Sequence, residues 1–444
     1  MEITTVGGYS EVGKNMTALK YKDEAIIFDM GVHLEKYIKF KGDDDLELFQ
    51  LKDLIRAGAV PDENIIKDWK KRVIAIIPSH AHLDHIGAIP YMAAKYNVPI
   101  ICTSYTASVI TAILKDKKLR IPNKIKVLEL GQKLKLSDKL TVEFINITHS
   151  IPDTALVVIH TPEGQVIYAN DFKLDNTPVL GNPPDYKRIR KLGKDNKVKV
   201  LILDSIYAYL PRKTPSESVA KEMLRDVMLN VNSRGRAVIV TTFSSHIARL
   251  KSIIEFGKLM KRKIVFLGRS LAKYVYAAED INLVNFSKSV EIVPYKSQIK
   301  KKLREIEKQG RDKYLIVATG HQGEPNAVLS RIVDRKLGFK LFQNDHVIFS
   351  CTVIPSPLNI ANRDVLESKL KDARVRIFRD IHQSGHASRE DHRDLIKMLN
   401  PKHIIPSHAG IDKTVHLANL AKEMGYELGK TVHLMHNNQR IEFQ

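Results

Sequence analysis

The sequence predicts an α/β protein of two domains, and three observations predict it. Apolar, β-branched runs recur along 444 residues, a chain too long for one domain of ordinary size. The early runs end on polar residues that can do chemistry. From about residue 206 the pattern becomes a regular alternation of apolar strands and charged helical segments, the pattern of a parallel sheet.

In the first part, Ala25-Ile26-Ile27-Phe28 leads to Asp29, Val73-Ile74-Ala75-Ile76-Ile77 to Ser79-His80-Ala81-His82-Leu83-Asp84-His85, and Val142-Glu143-Phe144-Ile145-Asn146-Ile147 to His149. Val166-Ile167-Tyr168 leads to Asp171, and Val200-Leu201-Ile202-Leu203 to Asp204. One aspartate after a strand is ordinarily a turn or a helix cap. A succession of them, with a histidine cluster in its midst, reads as an assembled site. Residues 33–72 form a long excursion between strands and include the acidic patch Gly42-Asp43-Asp44-Asp45.

In the second part the strands are Ala237-Val238-Ile239-Val240-Thr241, Lys263-Ile264-Val265-Phe266-Leu267, Tyr314-Leu315-Ile316-Val317-Ala318 and His346-Val347-Ile348-Phe349-Ser350. Charged helical segments at 247–260, 296–309 and 325–335 separate them. Val375-Arg376-Ile377-Phe378 and His403-Ile404-Ile405-Pro406 then lead to histidines again. The expected division is therefore a first domain split around an insertion: 1–205, an inserted domain at 206–372, and a returning segment at 373–444.

The composition carries 71 Lys+Arg against 50 Asp+Glu, a formal charge of +21. Such an excess favours a polyanionic partner, because each neutralised phosphate releases condensed counterions. Solvated lysine faces such as Ile299-Lys300-Lys301-Lys302-Leu303-Arg304 account for part of it. Cys102 and Cys351 sit singly inside apolar runs and read as core thiols. No stretch reads as a secretory leader or as a membrane helix, so a soluble, cytoplasmic protein without a membrane partner is expected.

The cluster at 80–85 offers four metal ligands within six residues, in a loop between a buried strand and a helix. Imidazoles and a carboxylate suit zinc, and less tightly manganese or magnesium. His80 and His82 can face one ion, and Asp84 and His85 a second. His149 closes the first set, and Asp171 can place one oxygen on each ion, the arrangement used to hydrolyse phosphate esters. The second ion still needs a histidine, and His408, in Pro406-Ser407-His408-Ala409-Gly410, is the candidate.

This order of elements resembles the metallo-β-lactamase fold and, within it, the β-CASP group of nucleic-acid processing proteins. In that resemblance Asp29 stands for the first motif, His80 to His85 for the second, His149 for the third and Asp171 for the fourth. Asp204, His386 and His408 stand for motifs A, B and C. The opening Gly7-Gly8-Tyr9-Ser10-Glu11-Val12-Gly13-Lys14-Asn15-Met16 and the run Thr319-Gly320-His321-Gln322-Gly323-Glu324-Pro325 are similar to ribonuclease J patterns, in the short archaeal form. The resemblance implies an αββα sandwich with an inserted β-CASP domain, a parallel sheet with flanking helices. It also implies RNA as substrate and partner, digestion from the 5′ end in RNA decay and maturation, two zinc ions per chain and a homodimer, with single-stranded DNA as a further partner.

Within that reading His386 is the general acid for the departing 3′ oxygen. Asp204 orients a ligand histidine or His386, Asp84 serves in catalysis as well as in ligation, and Asp29 supports the metal shell from behind. Loops at Phe243-Ser244-Ser245-His246, Gly268-Arg269-Ser270, His321 and Ser384-Gly385-His386-Ala387-Ser388 present hydroxyls, small residues and cations suited to phosphate, although serine at such places also caps helices. Hence Arg269, Ser244, Ser245, His246, His321, Ser384 and Ser388 are the candidate phosphate-binding residues. His33, His160, His346, His392, His416, His433 and His436 read as surface or satisfied core residues. An internally cutting nuclease and a metal-bearing RNA scaffold are the competing readings.

Overall fold

A computed structural model of the chain describes residues 1–41 and 49–444, so the Gly42-Asp43-Asp44-Asp45 patch lies outside the described residues. Contacts divide the described chain into two units: 1–176, 181–214 and 384–444 form the first, and 177–180 and 215–383 the second.

The first unit holds two sheets. One runs in the order Gln439–Glu442, Glu2–Gly7, Met16–Tyr21, Glu24–Phe28, Val73–Ile77, Ile100–Cys102, Ile125–Val127. The other runs His403–Ser407, Val198–Asp204, Gly164–Ala169, Ala155–Thr161, Thr141–Asn146, Lys133–Lys135. Strand periodicity explains why both faces of the second sheet are apolar. Along Thr141–Asn146 and Ala155–Thr161, Val142, Phe144, Val157 and Ile159 turn to the cluster shared with Phe28, Ile77 and Tyr168. Ile145, Leu156 and Val158 turn the other way, to a cluster closed by Leu192, Leu395 and Leu417 from the helices Tyr186–Lys194, Arg389–Leu399 and Ile411–Glu423. Two sheets with helices outside make an αββα sandwich, the layering that the resemblance implies. Phe144 is wholly buried, and its truncation to alanine would cost about 3–5 kcal/mol.

Direction matters more than content for the site. Glu24–Phe28 and Val73–Ile77 are parallel, as are Gly164–Ala169, Val198–Asp204 and His403–Ser407, while Thr141–Asn146 runs with them because two antiparallel pairings intervene. In each sheet the carboxyl ends of these strands therefore share one edge.

The second unit is a six-stranded, wholly parallel sheet in the order Val290–Val293, Lys263–Leu267, Tyr314–Ala318, Val238–Thr241, His346–Phe349, Arg376–Phe378. Parallel neighbours need long crossovers, supplied by helices such as Ile247–Leu259, Arg269–Asp280, Lys296–Gln309 and Pro357–Asp372. Its core joins Ile239, Val265, Ile316 and Val347 of the strands to Leu303, Leu329 and Leu370 of the helices. Arg376–Phe378, read from the sequence as the start of the returning segment, pairs with His346–Phe349 and is the edge strand of this sheet. A short strand ending in histidines carries no mark of which sheet it joins. Cys102 and Cys351 are both buried free thiols, and burial raises the pKa of each.

Candidate metal centre

Six strands deliver the polar residues at the carboxyl ends described above. Asp29 follows Glu24–Phe28, the histidine cluster follows Val73–Ile77, and His149 and Asp171 follow Thr141–Asn146 and Gly164–Ala169. Asp204 ends Val198–Asp204, and His408 follows His403–Ser407. The cluster's loop is fixed through its backbone. The 83–85 carbonyls accept hydrogen bonds from Val32, Asn15 and Met30 at 3.1, 3.0 and 2.7 Å. Gly31 is required there, since a Cβ on it would lie 1.5 Å from the Asp84 carbonyl oxygen.

Beside the trio of Asp171, Asp204 and His386, the described residues give two overlapping four-residue sets of ligand atoms, those of each set within 4.8 Å of one another. The first is His80, His82, His149 and Asp171, and the second is Asp84, His85, Asp171 and His408. In the first, His82 Nδ1 lies 3.1 Å from His80 Nε2 and 3.2 Å from His149 Nε2, while Asp171 Oδ2 lies 3.5 and 3.4 Å from those two Nε2 atoms. In the second, His85 Nε2 is 3.3 Å from Asp171 Oδ2 and 3.6 Å from Asp84 Oδ2, and His408 Nε2 is 3.8 Å from Asp84 Oδ2. Asp171 belongs to both sets.

Each imidazole except that of His82 is held from behind through Nδ1, which turns Nε2 inward. The partners are Ser79 Oγ for His80 (3.0 Å), Asp29 Oδ2 for His85 (2.7 Å), the Gly385 carbonyl for His149 (2.7 Å) and Asn15 Oδ1 for His408 (3.0 Å). Asp29 is the hub of this support. It accepts from the Ser79 amide at 2.8 Å and from the Tyr168 hydroxyl at 2.8 Å. Asn170 donates to that Tyr168 oxygen at 2.9 Å and accepts from Ser407 Oγ at 2.6 Å, so the chain of hydrogen bonds crosses from one sheet to the other. Sequence reasoning missed Asn15, Ser79, Tyr168, Asn170 and Ser407. Each adjoins or lies within a quoted motif, which was the available signal.

His386 Nδ1 lies 2.8 Å from Asp204 Oδ2, and its Nε2 faces Asp171 Oδ2 at 3.9 Å. Asp204 is itself fixed. Its carboxylate accepts from the Ile206 amide at 2.8 Å, and its carbonyl meets His392 Nε2 at 2.7 Å. His392 is buried and its other nitrogen meets the Ser388 carbonyl at 2.7 Å, so this core histidine braces the Asp204–His386 pair from below.

Burial dominates the electrostatics. It lowers the pKa of His80, His82 and His149, that of His82 to about 4, which keeps these imidazoles neutral as a metal requires. Burial alone would raise Asp171, but the facing imidazoles of His408, His85 and His386 hold its carboxyl well below the usual range. Burial likewise opposes protonation of His386, yet the Asp204 and Asp171 carboxylates outweigh it and raise the group to about 9. The two carboxylates thus favour the protonated imidazole, the form a general acid needs.

These residues fit a metal ion better than they fit one another. Asp171 Oδ1 is buried with no hydrogen-bond partner, an expensive state unless a cation or a donor is received there. The His80 and His82 nitrogens that face each other at 3.1 Å are lowered in basicity by burial and so are kept in the neutral form a metal takes. A metal at either set would satisfy atoms that are otherwise in conflict.

The remaining candidates have varied surroundings. In the first unit, the Ser384 hydroxyl accepts from the His386 amide at 3.0 Å, and Ser388 forms a capping box with Asp391 at the start of Arg389–Leu399. In the second, His246 Nδ1 caps Ile247–Leu259 through the Arg249 amide, and its Nε2 lies 3.4 Å from Glu217. His321 packs its ring on Phe243 at 4.4 Å, Ser245 is buried, and Ser244 shares a hydrogen bond with Ser270 at 2.9 Å. Arg269 opens the helix Arg269–Asp280 after Gly268, whose φ is 140°. Ser388 and His246 thus each spend a polar atom on a helix end.

Known proteins share this frame over the full chain. A "Ribonuclease J" of Methanocaldococcus jannaschii is 46% identical over 445 residues, covering 100% of this chain and 99% of that protein. The chain belongs to the ribonuclease J family. A "Ribonuclease J" of Pyrococcus abyssi is 44% identical, with 100% and 97% covered, and a "Ribonuclease J 1" of Streptococcus pyogenes is 32% identical, with 95% and 71% covered. Residues 10–211 match the metallo-beta-lactamase superfamily, 234–366 the beta-CASP domain of ribonuclease J, and 372–435 the family described as the Zn-dependent metallo-hydrolase RNA specificity domain. A solved structure of a protein of unknown function from Enterococcus faecalis shares the fold, with a TM-score of 0.64 at 17% identity over 99% of both chains. Among the described residues no helix is long and apolar enough to cross a membrane.

Proposed function

We propose that this chain is a metal-dependent ribonuclease that hydrolyses RNA phosphodiester bonds from the 5′ end, with two zinc ions per chain, in RNA decay and maturation in the cytoplasm. The observation that carries the reading is the shared carboxylate of Asp171 between two histidine-rich sets, with the Asp204–His386 pair at its edge. Family membership supports RNA as the substrate, and the charge of +21 suits a polyanion. The homodimer and single-stranded DNA as a second partner belong to the same proposal.

His80, His82 and His149 with Asp171 would hold one ion, and Asp84, His85 and His408 with Asp171 the other. Such a pair supplies Lewis acidity and a nucleophile at neutral pH. The chain's own residues do the rest. The second-layer partners on each Nδ1 keep the imidazoles aimed, so little reorganisation accompanies the reaction. His386 Nε2 gives its proton to the 3′ oxygen as the P–O3′ bond breaks. Asp204 holds the other ring nitrogen and stabilises the imidazolium beforehand. Ser384 is proposed to bind the terminal phosphate and Arg269, separately, a phosphate of the RNA backbone, whereas Ser388 and His246 would contribute through the helices they cap.

End-labelled RNA tests the proposal. Mononucleotides should appear from the first time point, 5′-monophosphorylated RNA should be consumed faster than 5′-triphosphorylated RNA, and chelator should stop both. Internal fragments appearing first would move the assignment to an endonuclease. Tight binding without any cleavage in the presence of zinc would leave a scaffold.

A further inference from the structure

Beside His386 the first unit carries a line of aromatic rings for which the hydrolytic reading has no role. The Tyr207 ring lies 6.1 Å from that of His386, Tyr209 lies 6.2 Å beyond Tyr207, and His416 lies 6.0 Å beyond Tyr209. Tyr207 is half-buried, whereas Tyr209 is 44% exposed. Among the described aromatic residues of this unit, Tyr209 and Phe40 are the markedly exposed ones. An aromatic face left in water beside a polar centre is unused binding surface, because such rings contribute most when covered.

The line is also held rigid relative to His386. Tyr207 bridges to Ser388 in parallel β fashion, and its carbonyl accepts from the Leu210 amide at 3.0 Å. The Leu210 carbonyl accepts from the Arg389 amide at 3.1 Å. Thr214 closes the loop, donating its amide to Asp391 at 2.7 Å and its hydroxyl to the His386 carbonyl at 2.8 Å. A loop fastened along the segment that carries His386 cannot carry its rings away from that imidazole. Arg212 follows in the same loop with its side chain exposed. Aromatic faces with a neighbouring cation are what single-stranded nucleic acid binds.

We propose that Tyr209, backed by Tyr207, is a stacking platform for the base of the nucleotide whose 3′ oxygen leaves. The inference rests on the ribonuclease reading and deepens it. One ribose separates a 3′ oxygen from its own base, a reach comparable with the 6.1 Å between His386 and Tyr207. With His386 at the oxygen, a base one ribose away comes within reach of the tyrosine rings. Stacking tolerates every base but grips the larger purine faces better, so a terminal purine should lower KM relative to a pyrimidine.

The test uses the zinc-loaded protein and a 5′-monophosphorylated single-stranded RNA with 2-aminopurine as its first nucleotide and a methylene group in place of the first 3′ oxygen. Binding should quench the fluorescence. Tyr209→Leu should abolish the quench and weaken binding by about 5- to 150-fold, while Tyr209→Phe retains both. On cleavable RNA the same loss should appear in KM with kcat nearly preserved. With an abasic first nucleotide, wild type and Tyr209→Leu should bind alike. A Tyr209→Leu protein that keeps quench and affinity overturns the platform, as does one that loses affinity equally on abasic RNA. If the wild-type protein neither binds nor cleaves RNA, the ribonuclease reading falls, and the platform with it.

Discussion

The two units bury titratable groups for opposite purposes. In the second, the Glu217 carboxylate is met at both oxygens by Arg249, at 2.6 and 2.7 Å. The remaining Arg249 donors reach the Ser350 carbonyl at 2.9 Å and the Ile381 carbonyl at 3.1 Å. In the first, no imidazole facing Asp171 comes nearer than the 3.3 Å of His85, and Asp171 Oδ1 has no hydrogen-bond partner. One arrangement is complete in itself and holds a scaffold together. The other is complete only when something further is bound. Burial alone does not separate a site from a support, whereas unspent hydrogen-bonding capacity does.

The sharpest way to break this comparison is to remove the shared carboxylate. Asp171→Asn should empty both sets and bring RNA hydrolysis to background, while Asp84→Ala or His85→Ala should empty mainly the second. Metal content per chain, read by mass spectrometry, checks this. A fully active variant holding a single ion would end the two-metal reading.

Next in size is His386→Ala. Turnover should fall by about two to four orders of magnitude with metal content unchanged, the range of a lost general acid. A substrate with a better leaving group should recover much of the rate. If RNA affinity drops as steeply as turnover, His386 is a phosphate ligand.

The second unit should show the reverse. Arg249→Met should cost about 3–5 kcal/mol in denaturant unfolding, because the Glu217 carboxylate loses the guanidinium that meets both its oxygens, yet metal content should not move. Burial would raise Glu217, but His246 and Arg249 hold it well below its ordinary value. A depressed folded pKa gives stability that is present above the unfolded value of about 4.3 and lost as pH falls toward the folded one. Wild type should therefore lose stability on acidification below that value, and the variant, in which only His246 still depresses Glu217, should lose less of it there. An identical acid slope in both proteins would detach Glu217 from the scaffold role.

Much of this contrast was legible in the residues, and the gaps have physical causes. His80 to His85 announce themselves because imidazoles and a carboxylate crowd one loop after a strand, and the parallel sheet announces itself through continuous apolar runs. Asn15 and Tyr168 do not, since an amide or a phenol acquires its role only when folding brings a histidine or Asp29 against it. His392 reads from the sequence as a surface or satisfied core residue. Core it is, and it also braces the Asp204 carbonyl. Arg376–Phe378 was placed with the wrong neighbours because pairing partners are a property of the sheet and not of the strand.

The smallest expected effect separates two arginines of the second unit. Arg249 is wholly buried, whereas Arg269 is half-exposed at the start of its helix. If Arg269 meets one phosphate of the RNA strand, Arg269→Ala should leave unfolding unchanged and flatten the plot of log affinity against log salt by about 0.7, the share of one contact to single-stranded nucleic acid. The loss should be equal for different sequences, because a phosphate contact positions the strand without reading it. Measured across a salt series on one oligonucleotide, this shift is small but directional. An unchanged slope places Arg269 away from the RNA and leaves the loops of the second unit, like its buried pairs, to the scaffold.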